Sequence, residues 1–139
     1  INQNNGPVNF DLNNNGNPNL TMSSNGKIGV GVDTPLHTLH VNGTVGLNFQ
    51  TVSSNITVTG NTMLIADTTA GNVTLTLPSA TGVSGRSYTI KKIASANELH
   101  LTASANIDSS TSHTLPSGNL GNISVISNGS QWLILSMSN

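Results

Sequence analysis

The 139 residues fit one ordinary domain or two small modules. Only 35% are hydrophobic, 3% aromatic and 6% charged, where a typical soluble domain carries roughly a quarter charged residues, so both the usual core and the usual charged surface are thin. The net charge of -1, with only Lys91 and Lys92 adjacent among the cations, excludes the clustered Lys and Arg that nucleic acid or an anionic membrane requires. The lack of cysteine excludes disulfides and thiolate metal sites.

Asn, Ser, Thr and Gly fill the vacant share, and they favour turns and strands over helix interiors. Disordered chains usually carry many charges or much Pro; this one has five prolines, and its apolar residues recur with strand spacing. No apolar run approaches the roughly 18 residues of a membrane span, and no basic-then-apolar leader opens the chain. A start at Ile1 is what a fragment of a longer protein would show. A core this small needs another staple, and self-association is the simplest.

In chain order, the first 26 residues contain an echo at an offset of ten: Asn9-Phe10-Asp11-Leu12 ending in Asn15-Gly16, then Asn19-Leu20-Thr21-Met22 ending in Asn25-Gly26. Two apolar side chains alternate with polar ones before an Asn-Gly turn, which predicts strand, turn, strand. Ile28, Val30 and Val32 continue the alternation with Gly29 and Gly31 between them, so one face is apolar and the other has no side chain; a backbone approached that closely needs a neighbour. Pro35 breaks pairing, Leu39 and Val41 make another short strand, and Asn42-Gly43 turns the chain.

From Phe49 onward the predicted strands lengthen: 51–58, 63–66, 73–77, 87–93, 98–103, 123–127 and 131–137. In Val73-Thr74-Leu75-Thr76-Leu77 the aliphatic residues take one face and the threonines the other, the pattern of an antiparallel sheet with one solvated side. The final strand is apolar on both faces around Trp132, which places it centrally or at an interface. Asn128-Gly129 between two such runs is the strongest hairpin signal in the chain. The expected fold is all-β, an intertwined trimeric stem over residues 1–48 followed by a compact antiparallel, sandwich-like head over residues 49–139.

Gly26-Lys27-Ile28-Gly29-Val30-Gly31-Val32-Asp33-Thr34-Pro35, followed by Leu39-His40-Val41-Asn42-Gly43, resembles a stem signature of tailed-phage fibres, with Val32-Asp33 where the family often has Thr. Leu75-Thr76-Leu77-Pro78, Gly85-Arg86-Ser87-Tyr88-Thr89-Ile90-Lys91-Lys92 and Ser127-Asn128-Gly129-Ser130-Gln131-Trp132 are similar to modules of phage fibre and tail proteins. The resemblance implies a homotrimer on the virion surface that contacts other virion proteins and a host glycan or protein receptor. The stem residues it marks are Ile28, Gly29, Val30, Gly31, Pro35, Leu39, His40, Val41 and Gly43. A bacterial adhesin module is the runner-up, and a fragment of a glycan-cleaving spike is a third class.

Chemistry has few candidates. Asp11-Leu12-Asn13-Asn14-Asn15-Gly16 matches the opening of a calcium loop, but the twelfth position is Met22 rather than Glu, so turn chemistry is preferred. His37 and His40 would converge on a metal only across a bend, since strand positions three apart point to opposite faces; packing is preferred. Asp108, Ser109, Ser110, Ser112 and His113 hold the residue types of a hydrolase triad without its elbow, and read as a loop. Asp33, Asp67, Glu98 and Asp108 are too scattered for a glycosidase pair. Tyr88 and Trp132 are the candidate receptor contacts, because exposed aromatics stack on sugar rings, against the alternative that they fill the core. Sequons such as Asn55-Ile56-Thr57 and Asn122-Ile123-Ser124 are expected by chance. No catalytic residue, metal or cofactor is expected.

Overall fold

The computed structural model describes residues 6–12, 15–60 and 62–138. The chain divides after Gly46 into two compact units, close to the boundary expected at residue 48.

The N-terminal unit holds β1 (Val8–Phe10), β2 (Leu20–Met22), β3 (Ile28–Val30) and β4 (Leu39–Val41), paired in that order in one sheet. The two copies of the ten-residue echo pair with each other, Phe10 opposite Leu20 and Val8 opposite Met22. The Asn25-Gly26 turn then folds β2 back on β3. There the Gly26 amide donates to Ser23 O at 3.0 Å and Gly26 takes φ 80, a backbone region open to glycine at little cost. β3 and β4 are parallel, so the chain crosses between them through residues 31–38, the segment that contains Pro35.

The C-terminal unit holds β5 (Phe49–Val52), β6 (Ile56–Thr57), β7 (Met63–Ala66), β8 (Val73–Leu77), β9 (Ser87–Lys92), β10 (Leu99–Ile107), β11 (Ser110–Leu115), β12 (Asn122–Ser127) and β13 (Trp132–Ser138). They form a nearly closed, barrel-like sheet in the order β5-β7-β9-β12-β13-β10-β8-β6, with β11 added on β10. The order has a simple logic. Odd strands β5, β7 and β9 pair in parallel on one wall, even strands β6, β8 and β10 pair in parallel on the other, and the β12–β13 hairpin bridges β9 to β10. The chain therefore coils, crossing the core at each step, before the hairpin closes the gap between the walls.

This corrects the expected antiparallel sandwich. Of the pairings, β5–β7, β7–β9, β6–β8, β8–β10 and β10–β13 are parallel, and β9–β12, β12–β13 and β10–β11 are antiparallel. Strict alternation reports that one face is buried, not the direction of the neighbouring strand. Parallel sheets normally hide both faces because helices make their crossovers; here the opposite wall makes the crossover, so the outer face stays wet.

Inward residues of both walls share one core. Leu64, Ala66, Tyr88, Ile90, Ile123 and Val125 come from one side and Val73, Leu75, Leu77, Leu99, Leu101 and Leu115 from the other. The predicted 51–58 strand is split into β5 and β6 by the Ser53–Asn55 bend, β10 runs to Ile107, and β11 occupies the stretch expected to be a loop. The Asn128-Gly129 hairpin forms, as a four-residue loop closed by the Ser127–Trp132 pair. Asn128 Oδ1 accepts from the Ser130 and Gln131 amides at 3.0 Å each, and Gly129 takes φ 95.

Candidate functional site

In the N-terminal sheet, strand register aligns two apolar rungs. Val8, Met22, Ile28 and Leu39 lie across the four strands in one, and Phe10, Leu20, Val30 and Val41 in the other. Between them runs the row Asn9, Thr21, Gly29 and His40, which points to the opposite face by the two-residue period of a strand. Burial is inverted relative to polarity: Phe10, Met22, Ile28, Val30 and Leu39 are 37 to 61% exposed, whereas Thr21 is 1% exposed.

The cause is the crossover. A Cβ at Gly29 would collide with the Val32 carbonyl, so the chain after β3 lies directly on the row that holds Gly29. The Gly31 amide donates to Asn19 O at 3.0 Å, Gly31 takes φ 65, and Pro35 is buried. The glycine spacing thus meets a neighbour, as a strand face without side chains requires, and that neighbour belongs to the same chain. The other face carries eight apolar side chains with no charge among them.

The stem-motif residues all serve this sheet. Ile28, Val30, Leu39 and Val41 form half of the apolar face; Gly29, Gly31 and Pro35 allow the crossover; His40 lies on the covered row; and Gly43 follows β4. The His37 and His40 rings meet with centroids 5.7 Å apart at 70°, edge to face, and the Leu36 amide donates to His40 Nδ1 at 3.4 Å. The bend does bring the rings together, but as a packed aromatic pair rather than two nitrogens aimed at one point. Asp11 turns onto its own loop, Oδ2 accepting from the Gly16 amide at 2.8 Å and Oδ1 from the Asn15 amide at 3.4 Å; Asn13 and Asn14 of that candidate calcium loop lie outside the described residues. Among the described residues no three His, Asp or Glu side chains gather as a metal site.

Tyr88 and Trp132 are 1% and 0% exposed, which corrects their candidacy as receptor contacts: neither ring is open to a sugar. Their centroids lie 5.3 Å apart at 50°, Trp132 Nε1 donates to Pro78 O at 3.0 Å, and the Tyr88 hydroxyl donates to Thr59 O at 3.4 Å. Each buried ring thereby satisfies its polar tip.

The triad-like cluster is also dispersed among backbone partners. Asp108 Oδ1 accepts from the Ile134 amide at 3.1 Å, His113 Nε2 pairs with Ile107 O at 3.0 Å, and Ser110 Oγ donates to Ser112 O at 3.0 Å. Asp108 takes φ 52 at the β10–β11 turn, a position that favours glycine. Asp67 accepts from the Thr69 hydroxyl at 2.6 Å and the Thr69 amide at 3.0 Å, and these bonds hold its carboxyl below the usual aspartate range. The surface formed by the described residues has no cavity.

Two features went unread in the sequence. Lys92 is fully buried, its Nζ donating to Pro116 O at 2.8 Å and Asn119 O at 2.9 Å, while the neighbouring Lys91 Nζ donates to Leu120 O. The one adjacent cation pair in the chain therefore holds the loop between β11 and β12. Burial pushes the Lys92 ammonium below the usual lysine range, against a smaller opposing pull from Glu98. The second feature is the outer surface of β6, β8, β10 and β11. Thr57, Thr76, Thr102 and Ser112 align across it in one row, and Thr74, His100 and Thr114 in the next. Its sequence signal was the alternation of Thr74 with Thr76, His100 with Thr102 and Ser112 with Thr114, visible only once strand pairing places the three together.

No protein-family model and no curated protein matches the chain.

Proposed function

We propose that the chain is a non-enzymatic structural piece of a virion fibre, a homotrimer at the virion surface that joins other virion proteins and supports attachment to the host cell. The observation that carries this reading is the uncharged face of eight apolar side chains on the N-terminal sheet, most of them more than a third exposed in a single chain. Contiguous exposed apolar surface on this scale marks an interaction site. An uncharged apolar face has no preference for a charged partner, and its natural complement is the same face on another copy. Three sheets packed about a shared axis would form a stem core that none forms alone, and three linked heads would add weak contacts by avidity.

The resemblance of Gly26–Pro35 and Leu39–Gly43 to fibre stems supports the same arrangement. A second reading, a monomeric adhesin module, is favoured by the C-terminal unit, which buries a complete core within one chain. Sedimentation equilibrium separates the two. The wild type is expected at three times the chain mass, and the double variant Val30→Lys, Leu39→Lys at the mass of one chain. A wild type that stays monomeric at tens of micromolar, about the range in which modest interfaces assemble, would overturn the fibre reading and leave the adhesin.

A further inference from the structure

We infer that the polar outer surface of β6, β8, β10 and β11 is the receptor-contact surface, and that its ligand is a neutral, hydroxyl-rich polysaccharide chain lying across the strands. The inference rests on the attachment reading above and names the site and ligand class it lacks.

Three observations converge. The first is chemical purity. Outward positions on these strands are Thr57, Thr74, Thr76, His100, Thr102, Ser104, Asn106, Ser112 and Thr114, all hydroxyl, amide or imidazole, as their alternation with buried Leu75, Leu99, Leu101 and Ile107 requires. The opposite wall differs: Phe49 and Met63 lie in its outward rows with Ile65 and Lys91. Composition alone would have spread apolar residues over both.

The second is order. β6, β8 and β10 run parallel and β11 joins β10 antiparallel, and their pairing sets the side chains on a lattice of about 4.8 Å between strands and about 6.6 Å between alternate residues. Cross-strand bonds fix their directions: Thr76 Oγ1 to Thr102 Oγ1 at 3.1 Å, and His100 Nδ1 to Thr114 Oγ1 at 3.0 Å. His100 Nε2 lies 3.3 Å from Glu98, so the imidazole is held at both nitrogens. Threonine is stiff at χ1, and a surface already ordered loses little freedom when it binds.

The third is shape. Among the described residues there is no cavity, and both aromatic candidates are buried, so this surface is open and flat rather than enclosing. A flat lattice of donors and acceptors suits an extended polymer with its own repeating hydroxyls, and the near absence of charge suits a neutral one. Individual contacts are weak, which is the regime in which three heads per fibre matter.

The test is affinity electrophoresis of the full chain in native gels cast with dextran, mannan or amylose, with heparin as the anionic control. The wild type is expected to be retarded by at least one neutral polymer and not selectively by heparin. Thr76→Val with Thr102→Val keeps β-branched shape while removing two hydroxyls, and should weaken retardation roughly fivefold or more, the equivalent of one lost neutral hydrogen bond. A second variant, Thr57→Lys with Ser112→Lys, changes only exposed ends of the row and should have the same effect, whereas Thr89→Val with Ser124→Ala on the other wall should have none. Retardation by no neutral polymer, or by the same amount in every variant, overturns the inference. So would ice crystals shaped by the wild type without retardation in any gel, which would assign the lattice to ordered water instead. Native mass, measured on the same samples, tells this failure from failure of the trimer.

Discussion

In the N-terminal unit Ile28, Val30 and Leu39 stand on the open side of a single sheet, whereas in the C-terminal unit Val73, Leu75 and Leu77, on equally polar strands, are at most 2% exposed. Residue type does not separate them. The C-terminal chain coils, so each strand faces another wall across the core; the N-terminal chain pairs four short strands side by side and uses its one crossover to cover the glycine row. The comparison shows that alternation supplies a face to bury, and that a second layer must exist before burial occurs.

The largest expected break is in the two-walled unit. Trp132→Ala removes the ring packed on Tyr88 and leaves Pro78 O without its donor, and should cost about 3–5 kcal/mol. Urea unfolding followed by circular dichroism measures it. A loss below about 1 kcal/mol would mean that the shared core is not what holds the walls together.

Gly29→Ala probes the single sheet. Its methyl group would strike the Val32 carbonyl, and overpacking of this kind costs typically about 1–3 kcal/mol. The expected readout is faster amide exchange in residues 20–41 with the C-terminal unit unchanged; equal exchange in mutant and wild type would show that the crossover does not sit tightly on β3.

The smallest effect is one of pH. The folded Lys92 pKa lies below the ordinary lysine value of 10.5, so between the two the unfolded chain binds more protons, and stability rises with pH across that window. Unfolding midpoints taken from about pH 8 to about pH 10, compared with Lys92→Met, should show a rise in the wild type that the variant lacks. The opposite slope would mean that the ammonium is stabilised, not strained, by its two carbonyl partners.

Much of this architecture was legible in the residues. Met63–Ala66 and Val73–Leu77 were placed to the residue, the Asn-Gly turns at 25–26 and 128–129 close hairpins, and the Gly29-Val30-Gly31 spacing correctly demanded a close neighbour. β11 was missed because its Ser110-Thr111-Ser112 run carries no apolar alternation; it exists by pairing with β10. Tyr88 and Trp132 drew attention as the only Tyr and Trp, yet rarity says nothing about which way a side chain points. The threonine lattice escaped notice because its members come from four separate strands.

By itself, the sequence determined the all-β class, the Asn-Gly turns at 25–26 and 128–129 and which side of strands such as Met63–Ala66 and Val73–Leu77 is apolar, since these depend on local backbone preference and a two-residue period. Only the tertiary structure decided that β7 and β8 pair with strands two steps away in the chain, that Lys92 is buried, and that one sheet keeps its apolar side open. Strand direction, partner and burial are set by contacts between residues distant in the chain, and local spacing carries no record of which of those contacts form.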